Sequence, residues 1–327
     1  PQIWKTSIAF DWQLPTSFPF TITGEYIYNK TINDIYLTNW NIADNAGWST
    51  FNGPDKRHVY PASYKYTSVD AFVLSNTNKG YGYSASVTVK MQPTKRLNIT
   101  AAYTRSDQRQ MSSMPGSSAS SAYTYTPTVE GPNFCTLQPT EYVTPHRGFI
   151  SASYSIWNMN FNLFYEAYRA GRYSYMYAND FNGDNYNYDL IYVPNSKDEI
   201  KFVSDDDATR FWNFVENDEY LKTRKGKYTE GNSVYSPWAH NIDFHFDYNL
   251  KVKVGGQTNT LQFNVDVQNL ANLFNDSWGV AKQMNPALNS GRILTFDHVD
   301  DAGVPVFKTN AAIKPDMQLW TPISSIY

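Results

Sequence analysis

Trp4-Lys5-Thr6-Ser7-Ile8-Ala9-Phe10-Asp11-Trp12-Gln13 decides the fold. Every second residue (Trp4, Thr6, Ile8, Phe10, Trp12) builds one apolar, aromatic face. Lys5, Ser7, Ala9, Asp11 and Gln13 build a polar one. A period of two belongs to a strand, whose side chains alternate between opposite faces. The pattern returns at 242–250, where Ile242, Phe244, Phe246, Tyr248 and Leu250 oppose Asp243, His245, Asp247 and Asn249. It returns again at 261–267, with Leu261, Phe263, Val265 and Val267 against Gln262, Asn264 and Asp266. A strand charged on one face and bulky on the other needs water on one side and oil on the other. Tilted strands of about ten such residues are the unit of an outer-membrane β-barrel.

Composition agrees. The 327 residues include 26 Tyr, 19 Phe and 9 Trp, yet the mean hydropathy is only −0.53. A polar lumen and polar loops behind an aromatic-girdled outer band produce that combination. No run approaches the roughly 18 apolar residues of a membrane helix. A net charge of −3 without a dense Lys/Arg run leaves no electrostatic footprint for nucleic acid. The single cysteine, Cys135, excludes an internal disulfide and a cysteine-based zinc site, and reads as an unpaired loop residue. The chain opens on Pro1-Gln2-Ile3 without a leader, so the reading is of a mature, processed or partial polypeptide.

Further strands are predicted with outward faces Phe20-Ile22-Gly24-Tyr26-Tyr28, then one near 34–41, then Val69-Ala71-Val73. Others follow on the odd residues from Tyr81 to Met91, on Leu97-Ile99-Ala101-Tyr103, on Ile150-Ala152-Tyr154-Ile156 and on Met159-Phe161-Leu163-Tyr165. Tight connections at 14–17, 92–95, 157–158 and 255–257 alternate with long ones at 43–66, 106–145, 170–238 and 274–320. Short turns at one rim and long loops at the other are the arrangement of exported barrels. The fold class is therefore all-β: an antiparallel transmembrane β-barrel portion with long extracellular loops, one domain over 1–327. The Ser/Pro-rich loop 106–145 is expected to be mobile unless it folds over something. One short helix is predicted near 206–221, from Ala208, Phe211, Trp212 and Val215 behind Asp205-Asp206-Asp207.

Asp180, Asn182 and Asp184 stand at positions 1, 3 and 5 of a calcium-loop pattern, with Asp189 placed to add a carboxylate. Asn185 replaces the glycine of position 6 and no glutamate fills position 12. The alternative is an Asx-rich turn satisfied by its own backbone. The Asp205-Asp206-Asp207 run reads as a solvated helix cap. The five histidines lack metal-ligand spacing, and no nucleophile motif is present, so no enzyme is expected. Loop aromatics are candidates to line a ligand-capturing vestibule: Trp48, Tyr60, Tyr123, Tyr125, Tyr175 and Tyr177 first, then Trp40, Phe51 and Tyr173. An interfacial aromatic belt or loop-on-loop packing is the alternative for each ring.

Three stretches together resemble the C-terminal half of Bacteroidetes TonB-dependent outer-membrane transporters of the SusC-like and Oar-like kind. They are Asn182-Gly183-Asp184 with Tyr188-Asp189-Leu190-Ile191-Tyr192-Val193-Pro194; Phe211-Trp212-Asn213-Phe214-Val215-Glu216-Asn217-Asp218 with Tyr235-Ser236-Pro237-Trp238; and Val265-Asp266-Val267-Gln268-Asn269-Leu270-Ala271-Asn272-Leu273-Phe274-Asn275 with Trp278-Gly279. The resemblance implies a roughly 22-stranded barrel with a plug. It also implies import of a large nutrient, glycan or peptide, driven through TonB, in contact with outer-membrane lipids and a SusD-like surface lipoprotein. A chain of this length supplies about half of such a barrel, and neither plug nor TonB box is visible, so other strands are expected to complete it. Unpaired strand edges in lipid are prohibitive. A passive porin-like pore or a structural scaffold of an outer-membrane assembly is the alternative function. A soluble carbohydrate-binding module would have to explain aromatic outer faces on nearly every strand.

Overall fold

The computed structural model describes residues 1–42, 47–61, 70–169 and 171–323. Eleven strands carry the architecture: β1 (Gln2–Gln13), β2 (Phe20–Asn39), β3 (Phe72–Thr77), β4 (Tyr81–Thr94), β5 (Leu97–Gln110), β6 (His146–Ile156), β7 (Met159–Arg169), β8 (Ala239–Val254), β9 (Gln257–Val267), β10 (Arg292–Val299) and β11 (Pro305–Thr309). The main sheet runs β1-β2-β4-β5-β6-β7-β8-β9, with β3 added on β2. Every neighbour in it is antiparallel, as the alternation predicts. Like faces meet in register: Phe244 lies across from Val267, Phe246 from Val265 and Leu250 from Leu261.

The two faces differ in how they are satisfied. Polar side chains bond across strands: Thr23 Oγ1 donates to Asp11 (2.5 Å), Ser106 Oγ to Ser84 (3.0 Å) and Asn160 Nδ2 to Asp247 (3.0 Å). The apolar face is left open, with Val87 50% and Ile150 47% exposed. Apolar surface in water costs roughly 25 cal/mol per Å², so this face suits a hydrocarbon medium. The sheet is the wall of a β-barrel. Among the described residues nothing pairs with the outer edges of β1 and β9, so the wall is open.

The tight turns expected at 157–158 and 255–257 hold to within a residue. β4 instead runs through the one expected at 92–95 to Thr94, and the one expected at 14–17 extends to Pro19. Gly255 and Gly256 connect β8 to β9 with φ of 59° and 84°, the pair of positive values that a two-residue hairpin turn takes. The strand expected near 34–41 is not separate, because β2 continues to Asn39 and pairs first with β4 and then with β3. The strand expected at Val69-Ala71-Val73 is β3, shifted to start at Phe72. Val69 lies outside the described residues, as do residues 43–46 and 62–66 of the first long loop and 324–327 of the tail.

The long connections fold on one another. Residues 171–235 and 282–320 share a core of Tyr175, Tyr177, Ile191, Val193, Phe211, Val215, Leu288, Leu294 and Phe307, closed partly by β10 and β11. The predicted helix is α2 below, but its end differs from expectation. α1 (Ala119–Thr124) precedes it, and α2 spans Asp205–Asn217. Ser204, not the acidic run, is the N-cap, its Oγ accepting from Asp207 N–H (3.1 Å), while Arg210 pairs with Asp206 and Asp207. α2 stops at Asn217 because Asp218 takes the following amides, Tyr220 N–H (3.0 Å) and Leu221 N–H (2.8 Å), onto Oδ1. The loop 106–145 does fold over something. β5 absorbs it to Gln110, α1 starts on a Ser118/Ser121 capping box, and Tyr123 packs on Phe72 and Tyr186.

Candidate functional site

The loop assembly is organised around Arg57, whose side chain is fully buried. It pairs with Asp55 (3.0 Å) and Asp189 (3.7 Å), and its Nη2 donates to Leu190 O (2.6 Å). Its guanidinium lies over the rings of Phe181 (4.8 Å), Tyr177 (5.1 Å) and Tyr228 (5.4 Å). Tyr228 Oη also donates to Asp55 Oδ1 (2.9 Å). Burying a cation is tolerable only with such pairing. One arginine thus ties the 47–61 segment to the 171–235 loop.

Beside it lies the acidic loop. The carboxylates of Asp180, Asp184 and Asp189 each bring an oxygen within 4.8 Å of the others, as the calcium pattern requires. The backbone also uses them. Gly183 and Asn185 N–H both donate to Asp180 (2.7 Å each), Tyr186 N–H to Asp184 (2.8 Å) and Phe181 N–H to Asp189 (2.9 Å). Asn182 is fully buried and its Oδ1 accepts from Asp184 N–H (3.0 Å). Burial, then repulsion from Asp189 and Asp180, holds Asp184 well above the usual carboxylate range. Burial pushes Asp189 up to about 7, against the pull of Arg57. Of the three carboxylates only Asp189 also faces Arg57, and clustered hard oxygen ligands of this kind suit calcium.

The aromatic candidates divide. Tyr123, Tyr175 and Tyr177 were expected at an exposed vestibule, but the structure packs them in the interior at 1%, 0% and 1% exposure. Their alternation of ring and small residue reads as loop surface in sequence, yet their neighbours in space are Phe72, Phe214 and Phe307. Trp48 and Tyr60 form a tilted pair at 4.5 Å, both half-buried, with Tyr60 Oη donating to Glu130 O (3.0 Å). Phe51 stacks on Phe181, Tyr173 meets Trp320, and Trp40 is exposed.

Tyr125 remains accessible, stacked at 5.2 Å on Tyr188, and Arg292 covers the other ring at 4.9 Å. The two tyrosines border a cleft of about 320 Å³ lined also by Ser113, Glu141, Arg172, Asn232 and Ser290. Tyr188 and Arg172 had no signal as site residues in sequence: Tyr188 belongs to a run of tyrosines and Arg172 is a single charge in a loop. A second cleft of about 430 Å³ lies between α2 and residues 313–319. Cys135 is buried beside Tyr36 and Met111, and burial pushes its thiol up to about 12, so it is an inert core residue.

No protein-family model matches the chain, the 180–280 stretch included, and no curated protein sequence matches it. Among solved structures, the outer membrane transporter YddB from Escherichia coli is similar over 94% of this chain, with a TM-score of 0.40 and 8% sequence identity. This chain covers 31% of that transporter's length.

Proposed function

We propose that the chain is the barrel-wall and external-loop part of an outer-membrane transport protein, importing a large nutrient such as a glycan or peptide with energy delivered through TonB. The observation that carries this reading is an amphipathic antiparallel wall joined to a loop assembly with its own buried core. A passive pore needs an open, water-filled lumen. Loops built as a packed body around Arg57 suit capture of cargo instead. In this reading Tyr125 and Tyr188 supply a stacking platform, with Trp48 and Tyr60 as a second aromatic wall. The Asp180, Asn182, Asp184 and Asp189 loop holds a calcium ion that stiffens the 171–235 segment. A SusD-like lipoprotein over the loops and TonB beneath complete the machine. No side chain is assigned a catalytic role.

The test is uptake by cells that carry or lack the gene, with glycan and peptide pools offered separately. Uptake that requires the gene and stops when a protonophore removes the inner-membrane potential supports the reading. Gene-dependent uptake that continues without the potential assigns a passive pore and overturns it.

A further inference from the structure

We propose that the rim of the apolar face carries a binding site for the phosphate of a membrane lipid headgroup, centred on Arg105. The inference rests on the reading that this face meets lipid. On β5 the odd residues Leu97, Ile99, Ala101 and Tyr103 form the apolar face, and Arg105 continues that face at the end nearer the long loops. Its guanidinium is exposed but not loose. Nε donates to Tyr83 Oη (3.4 Å) and Nη1 to His146 Nε2 (2.7 Å), so strands on both sides hold it.

Arginine offers no acceptor, so His146 Nε2 must accept, which leaves the imidazole neutral with its proton on Nδ1, 2.6 Å from Tyr103 Oη. All the partners of Arg105 are therefore uncharged, and no carboxylate pairs with it among the described residues. Asp107, two residues on, faces Arg109 and Arg172 instead, each at 3.8 Å. On the polar face the chain does the opposite: Arg147, next to His146, is paired with Glu166. Arg105 is thus a fixed, uncompensated cation, and no hydrogen bond engages its Nη2 among the described residues.

A guanidinium with free N–H groups in a fixed fork matches a phosphate. Exposed Tyr103 and Trp238 flank it, the rings expected where headgroups meet protein. Val87 and Ile150 lie exposed further along the same face. A ligand that satisfies the charge and covers that strip must carry phosphate and acyl chain together, which a lipid does and a free anion does not.

The experiment is native mass spectrometry of the purified protein in detergent, with phosphatidic acid or diacylglycerol added; the two lipids differ only by the phosphate. Phosphatidic acid adducts are expected on the wild type, reduced about tenfold in Arg105→Gln, as loss of a charge-assisted bond implies. Arg105→Lys should fall between them, and Arg147→Gln, on the other face, should match the wild type. Equal adducts with diacylglycerol, or undiminished phosphatidic acid on Arg105→Gln, would overturn the proposal. Displacement of the lipid by inorganic phosphate alone would assign the site to a free anion and overturn it too. A protein that stays soluble without detergent and takes up neither lipid loses the membrane reading itself; one that takes up both equally loses only the phosphate site.

Discussion

Arg57→Met keeps the length of the side chain and removes its charge, leaving Asp189 and Asp55 buried without their partner. Breaking a buried pair in this way costs about 3–5 kcal/mol. The cost should depend on pH, because Asp189 is held at about 7 in the folded protein and falls to about 3.9 when unfolded. A folded-state value above the unfolded one means that this group favours the fold fully below about 3.9 and loses that contribution as pH rises through about 7. Arg57 lowers the folded value, so its loss extends the penalty to higher pH. The substitution should therefore be most destabilising at pH 8 and less so at pH 5, where Asp189 is protonated with or without the arginine. Hydrogen exchange reads the effect locally. The amides of Tyr177, Leu190 and Ile191, which bond to Asp189 O, Thr128 O and Tyr175 O, report opening of this loop. Their exchange, corrected for its intrinsic pH dependence, should accelerate by about two to four orders of magnitude at pH 8. Unchanged protection at pH 8, or the same acceleration at both pH values, would refute the assignment of Arg57 as the charge that holds the loop.

Tyr125→Ala and Tyr188→Ala should weaken capture of cargo with little change in melting temperature, since a stacked ring contributes about 0.5–1.5 kcal/mol. Tyr177→Ala should instead lower stability by about 3–5 kcal/mol, the usual cost of emptying a buried aromatic site; binding isotherms and thermal melts separate the two classes. Calcium should raise the melting temperature of the wild type and leave Asp184→Asn unmoved. In chelator above pH 7 that same variant should be the more stable protein, because it removes a carboxylate that burial holds well above its usual range; a calcium response that survives the substitution sinks the metal assignment. Ile150→Lys should cost about 2–4 kcal/mol on folding into vesicles, the penalty of a cation on a lipid face. Ser151→Lys on the opposite face should cost far less, and equal penalties would contradict the assigned sidedness.

The wall was readable because its signal is local. Trp4, Ile8 and Phe10 repeat every second residue, and adjacent strands need only short turns such as Gly255-Gly256 to bring like faces together. The closeness of Asp180, Asp184 and Asp189 was readable for the same reason, because they lie within one stretch of chain. The rest was hidden because its partners are distant. Arg57 donates to Leu190 across 133 positions, and nothing within a window around either residue announces the other. Tyr123, Tyr175 and Tyr177 have the composition of exposed loop rings and become core only when segments from 72, 214 and 307 arrive. The α2 terminus was missed because Asp218 prefers a new set of amides to another helical turn, a choice made by its carboxylate and not by propensity.

Two opposite uses of apolar residues coexist in this chain. The principal buried core draws its fully buried members from 175–234 and 284–313, and none from the strands of the main sheet. In those strands most large side chains lie on the outward face, with Leu163 45% and Phe263 57% exposed, while Phe149 and Phe164 stack on the other face. A soluble domain places both sets inside. An energetically consistent account therefore needs two solvents, hydrocarbon against the wall and water around the loops. The boundary between them must fall where β5, β6 and β8 meet the long connections. Tyr103, Arg105, His146 and Trp238 stand at that boundary, joined by hydrogen bonds to neutral acceptors and by tilted ring contacts. Aromatic rings with polar tips and a cation on a flexible stem are the side chains that can satisfy both solvents at once. Their clustering at one height on the apolar face is what an interface between those two solvents at that level calls for.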